Sequence, residues 1–115
     1  NTMPAAYQEL FLEKGSTFTT SITLDDVYGI PYDLTGLQLK SQVRKSYYSS
    51  NTIAEFTITT PTPTDGNIIM LLDSNVTSNI APGRYVYDVL IKDTANTVTR
   101  VLEGIINVNP QVTRF

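Results

Sequence analysis

Apolar and polar side chains alternate along most of the 115 residues, the period that places successive side chains on opposite faces of a pleated strand. Thr17 to Leu24 shows it best: Phe18, Thr20, Ile22 and Leu24 share one face, and Thr17, Thr19, Ser21 and Thr23 the other. Leu37 to Arg44 repeats the pattern, with Leu37, Leu39 and Val43 inward and Gln38, Lys40, Gln42 and Arg44 outward. Ile53 to Thr60 gathers Ala54, Phe56 and Ile58 on one side, and Gly83 to Lys92 alternates Tyr85, Tyr87, Val89 and Ile91 with Val86, Asp88 and Leu90. Glu9 to Leu12, Ile68 to Leu72 and Val98 to Val108 complete the set. The run Ile68-Ile69-Met70-Leu71-Leu72 is apolar throughout and is expected at the sandwich centre or buried on both sides.

Turn chemistry separates these stretches. Asp25 to Gly36 carries Gly29, Pro31 and Gly36 as breakers, with Ile30 and Leu34 expected as apolar anchors. Tyr47-Tyr48-Ser49-Ser50-Asn51 forms a polar turn, and Pro61 to Asn67 is the strongest loop signal, because proline cannot join a ladder and Asp65-Gly66 favours tight turning. Asp73 is placed to cap a short helical turn near Asp73–Ile80, closed by Pro82-Gly83. About seven short antiparallel strands and no helical stripe predict an all-β sandwich or small barrel. The crossover from Asp73 to Gly83 followed by Tyr85 decides for an immunoglobulin-like β-sandwich, in which a tyrosine corner joins the Tyr85 hydroxyl to backbone a few residues upstream. Tyr87 stands where antibody domains place a disulfide cysteine, so packing must supply that link. The length suits one domain, 9–110, with an N-terminal arm at 1–8 and a C-terminal tail at 111–115.

Composition then narrows the chemistry. The chain has no cysteine and no histidine, which removes structural disulfides and the Ser-His, Cys-His and His-ligated zinc classes. A net charge of −3 draws the molecule toward neither nucleic acid nor anionic lipid. Its apolar runs fall far short of the roughly 20 residues that cross a bilayer, and the first residues lack the pattern of a secretory signal. The expectation is a protein that is not an enzyme, with no cofactor, no metal, no nucleic-acid partner and no membrane partner.

Several groups invite sharper readings. Asp25, Asp26 and Asp33 offer carboxylates but match no calcium loop, and the turn-forming reading is preferred. Glu55, Asp88 and Glu103 are the strand-borne acids a glycoside hydrolase would need; the preferred reading is outward charge, or a strand pair with Arg84 or Arg100. Arg44, Lys45, Tyr47 and Tyr48 form the basic-aromatic cluster, suited to protein contact, to an ordinary exposed loop, or more weakly to base or sugar stacking. Asn75-Val76-Thr77 fits a glycosylation acceptor, a triplet common by chance. The outer segments Tyr7 to Leu12 and Gln111 to Phe115 are candidates for adding strands to neighbouring sheets. The interface residues expected on these grounds are Tyr7, Arg44, Tyr47, Tyr48, Val112, Arg114 and Phe115.

The order of motifs resembles a known group. Glu9-Leu10-Phe11-Leu12-Glu13-Lys14-Gly15, with Phe18 after it, is followed by Pro31-Tyr32-Asp33-Leu34-Thr35-Gly36 and Gln42-Val43-Arg44-Lys45, and the Asp33-Leu34-Thr35-Gly36 step resembles the one in N-terminal immunoglobulin-like domains of phage upper-baseplate proteins. Pro82 to Val89 and the closing Val98 to Gly104 through Val112-Thr113-Arg114 resemble small virion structural proteins of tailed phages, cyanophages included. The resemblance implies a β-sandwich in the virion that docks on other virion structural proteins in the baseplate, tail, neck or capsid surface, or forms a homo-oligomer within the assembly, and carries no catalytic residues. The alternative is a carbohydrate-binding or adhesion module at a phage or cell surface.

Overall fold

The computed structural model describes residues 6–113. Among them nine strands run in chain order: β1 (Ala6–Tyr7), β2 (Leu10–Glu13), β3 (Phe18–Thr23), β4 (Gln38–Arg44), β5 (Ala54–Glu55), β6 (Thr57–Thr59), β7 (Asn67–Leu72), β8 (Gly83–Lys92) and β9 (Val98–Asn109). One sheet has the order β1-β9-β8-β4-β5 with β2 also on β9, and the other the order β3-β7-β6. This is the immunoglobulin-like sandwich expected. Most pairs are antiparallel, but β1 and β2 run parallel to β9, Ala6 beside Leu102 and Leu10 beside Ile106.

The period-two pattern explains the interior. Tyr85, Tyr87, Val89 and Ile91 of β8 face inward at 5%, 2%, 0% and 3% exposure. On β7 the inward side is Ile68, Met70 and Leu72, while Ile69 and Leu71 stay half-exposed, so the continuous apolar run is central but buried on one face. Burying such a side chain contributes about 1.5–3 kcal/mol, and the inner faces of both sheets supply a row of them. Where antibody domains use a disulfide, an aromatic chain spans the layers. Phe18 of β3 packs on Phe56 at 6.2 Å between centroids, and Phe56 meets Tyr87 edge-on at 6.1 Å.

Phe56 also marks a change of sheet. The segment expected as one strand from Ile53 to Thr60 divides there, β5 pairing with β4 and β6 with β7. Ala54 and Phe56 both point inward, so the chain turns the sandwich corner without exposing them. On β9, Val89 opposes Leu102 while Leu90 opposes Arg100, leaving Val101 as an extra residue. This bulge sends the consecutive side chains Val101 and Leu102 into the core.

The tyrosine corner is present: the Tyr85 hydroxyl donates to the Ala81 carbonyl at 2.6 Å. The crossover before it holds α1 (Ser74–Thr77), extended by N–H bonds of Ser78 and Ile80 to Ser74 and Thr77. Asp73 serves this turn through its backbone carbonyl, which accepts from Val76 and Thr77, and its side chain makes no cap bond. Thr77 is wholly buried and its hydroxyl bonds to the Ser16 carbonyl at 2.8 Å, fastening the crossover to the β2–β3 turn.

Two further expectations need correction. The arm at 1–8 is shorter than drawn, because Ala6 and Tyr7 already pair with β9 and the Gln8 N–H bonds to Glu103. Within the described residues, the segment from Tyr7 to Leu12 therefore lies in the chain's own sheet. Ile30 is 58% exposed rather than an anchor, since the 26–30 turn closes on itself, whereas Leu34 is buried as expected. Ser41 of β4 faces the core with a hydroxyl that finds no partner among the described residues.

Candidate interaction surface

The outward face of the larger sheet is built in rows by strand register. One row runs Glu55, Gln42, Asp88, Glu103, Tyr7 across five strands. Asp88 and Glu103 stand directly opposite, a repulsive placement. Arg100 offsets it, with Nε 3.3 Å from Asp88 and Nη1 3.7 Å from Glu103. All three acids named from the sequence thus share one row, and of the two candidate arginines Arg100 makes the pair. Screening keeps such a half-exposed pair worth about 1 kcal/mol or less.

The basic-aromatic cluster is dispersed by the fold. Arg44 donates to the Ser49 carbonyl at 2.9 Å and to Gln42 Oε1 at 2.8 Å, bracing the turn that follows it. Lys45 turns the other way, its ammonium 4.7 Å over the Tyr85 ring and 3.3 Å from the Arg84 carbonyl. Both cations act within the domain, so no basic strip forms. Tyr47 and Tyr48 remain outside at 55% and 98% exposure, on a turn closed by the Ser49 N–H to the Ser46 carbonyl and by paired Ser46 and Ser49 hydroxyls. Tyr47 borders a shallow groove with Gln42, Arg44, Val86, Asp88 and Arg100.

The remaining interface candidates scatter. Tyr7 is 60% exposed at the β1 edge, and Val112 is 97% exposed beyond β9. Arg114 and Phe115 lie outside the described residues. Asp26 works as a turn former: its Oδ1 accepts from the N–H groups of Tyr28 and Ile30 at 2.8 and 3.0 Å. Asp33 does the same for Thr35, whose hydroxyl first and N–H second hold that carboxyl below its ordinary value. Among the described residues no cluster of three acids is placed to hold a cation.

Sequence reasoning missed a second exposed patch. The Asp26 turn displays Val27, Tyr28 and Ile30 at 58%, 79% and 58% exposure. An aspartate followed by glycine three residues later was the available signal, since such a turn bonds to itself and leaves its apolar side chains outside.

No protein-family model matches the sequence, and no curated protein matches it. Among solved structures the chain is similar to CopC from Methylosinus trichosporium OB3b, at 12% identity and a TM-score of 0.49, covering 97% of this chain and 92% of that one.

Proposed function

We propose that this domain is a non-enzymatic structural component of a tailed-phage virion that acts by docking on other virion proteins. The observation that carries this reading is the presentation of Tyr47 and Tyr48 on a hydrogen-bonded turn outside the core. Tyrosine brings a large contact area with few rotatable bonds, which suits it to anchor a protein interface. The motif resemblance from Glu9 to Arg114 supplies the virion context.

Immunoelectron microscopy of purified particles, with antibody raised against the domain, tests the reading. Labelling at a fixed position on the particle is the expected result, and absence of the protein from purified particles overturns it. The groove beside Tyr47 favours a second reading, a carbohydrate-binding module. Saturable binding on a glycan array, lost on Tyr47→Ala, would put that reading first.

A further inference from the structure

Among the described residues, the outer edge of β3 carries no neighbouring strand, for its partner in the smaller sheet is β7 on one side only. Exposed edges offer unpaired N–H and C=O groups, and proteins blunt them with short strands, charge, proline or bulges. The other edges carry such devices. β5 spans two residues and β6 three, with Pro61 and Pro63 close behind. The β1–β2 edge is broken where Gln8 turns its carbonyl toward Tyr87. β3 has none of them: from Thr17 to Leu24 there is no charge, proline or glycine, and its register with β7 is unbroken.

The inner face is also incomplete along this edge. Phe18, Thr20 and Ile22 stand opposite Leu72, Met70 and Ile68. The β7 members are sealed at 2%, 0% and 0% exposure, whereas their β3 partners remain half-exposed. A further strand beside β3 would close those rows.

We propose that the occupant is β3 of a second copy, joined antiparallel about a two-fold axis at Thr20 to give one sheet with three strands from each copy. Leu24 sends its N–H to Gly66 on the β7 side, so pleat alternation turns the N–H and C=O of Thr19, Ser21 and Thr23 to the open edge. In this register Thr19 and Ser21 of one copy form hydrogen-bonded pairs with Ser21 and Thr19 of the other. Thr20 meets its own counterpart in a non-hydrogen-bonded pair. Phe18 meets Ile22 twice, an aromatic and β-branched match on the inner face, and no charges are brought together. The interface is isologous, as two-fold symmetry requires. It does not depend on the virion reading.

The chain lacks cysteine, so single cysteine variants report the register directly. Opposed Cα atoms of a non-hydrogen-bonded pair lie about 4.5 Å apart, within disulfide reach. Thr20→Cys is expected to oxidise to a covalent dimer several-fold faster than Thr19→Cys or Ser21→Cys, although those positions are more exposed; equal or reversed rates overturn the register. Sedimentation of two charge variants tests the pairing itself. Thr19→Lys/Ser21→Lys and Thr19→Glu/Ser21→Glu, each shown folded by circular dichroism, should be monomeric alone and dimeric when mixed. A wild-type chain that stays monomeric at millimolar concentration, or dimers that survive in the lysine variant, overturn the proposal. Binding of a foreign strand without self-association would do so as well.

Discussion

The Tyr87 hydroxyl donates to the backbone carbonyl of Gln8 at 2.7 Å, fixing the middle of β8 to the break between β1 and β2. The first strand keeps one register with β9 on either side of this break, so the carbonyl turns inward without shifting the pairing.

Tyr87→Phe should cost about 1 kcal/mol, the worth of one buried hydrogen bond. It should also change the alkaline response. Burial first, and Tyr7 second, hold the Tyr87 phenol above its ordinary value. The unfolded chain therefore releases this proton first, and the stabilisation is present below about pH 10 and lost as pH rises beyond it. Urea midpoints measured between about pH 9 and about pH 11 should fall more steeply for wild type than for Tyr87→Phe. Parallel curves would refute the assignment.

Gly104 lies on β9 beside the same carbonyl, and a Cβ there would overlap Gln8 O and press on the Tyr87 ring. Gly104→Ala is expected to destabilise by about 2–3 kcal/mol, as overpacking does. Hydrogen exchange should show protection lost first on β1 and β2; uniform loss through both sheets would contradict this.

Why some of this could be foreseen and some not follows from the range of each interaction. The inward set Tyr85, Tyr87, Val89 and Ile91 and the bond from Tyr85 to Ala81 depend on residues near in sequence, where period and spacing are visible. The bulge at Val101 and the change of sheet at Phe56 reverse or divide a local pattern for reasons set by distant strands. Parallel pairing of β2 with β9 leaves no mark in either segment. Of the surface, Tyr47 and Tyr48 stood out as aromatics in a polar turn, whereas the separation of Arg44 from Lys45 depended on where Ser49 and Tyr85 fall in space.

Thr77 gives a third test. Thr77→Val keeps the volume but removes the bond to Ser16, and the expected cost is about 1 kcal/mol, the worth of one hydrogen bond made by a wholly buried side chain. Thr77→Ser should retain most of the stability in thermal melts. Equal losses for the two would mean that the methyl group, not the hydroxyl, holds the crossover.

Tyr47→Ala and Tyr48→Ala should leave folding stability within about 0.5 kcal/mol of wild type, since both side chains project outside the core. The proposed virion role predicts that incorporation of the double variant into particles, measured by quantitative mass spectrometry, falls several-fold. Normal incorporation would remove these tyrosines from the docking surface.

Because β2 pairs with the far end of β9, Leu10 to Glu13 have no strand to pair with until residues 106–109 leave the ribosome. Nearly the whole domain must be synthesised before that seam can close, and long-range closure of this kind is slow.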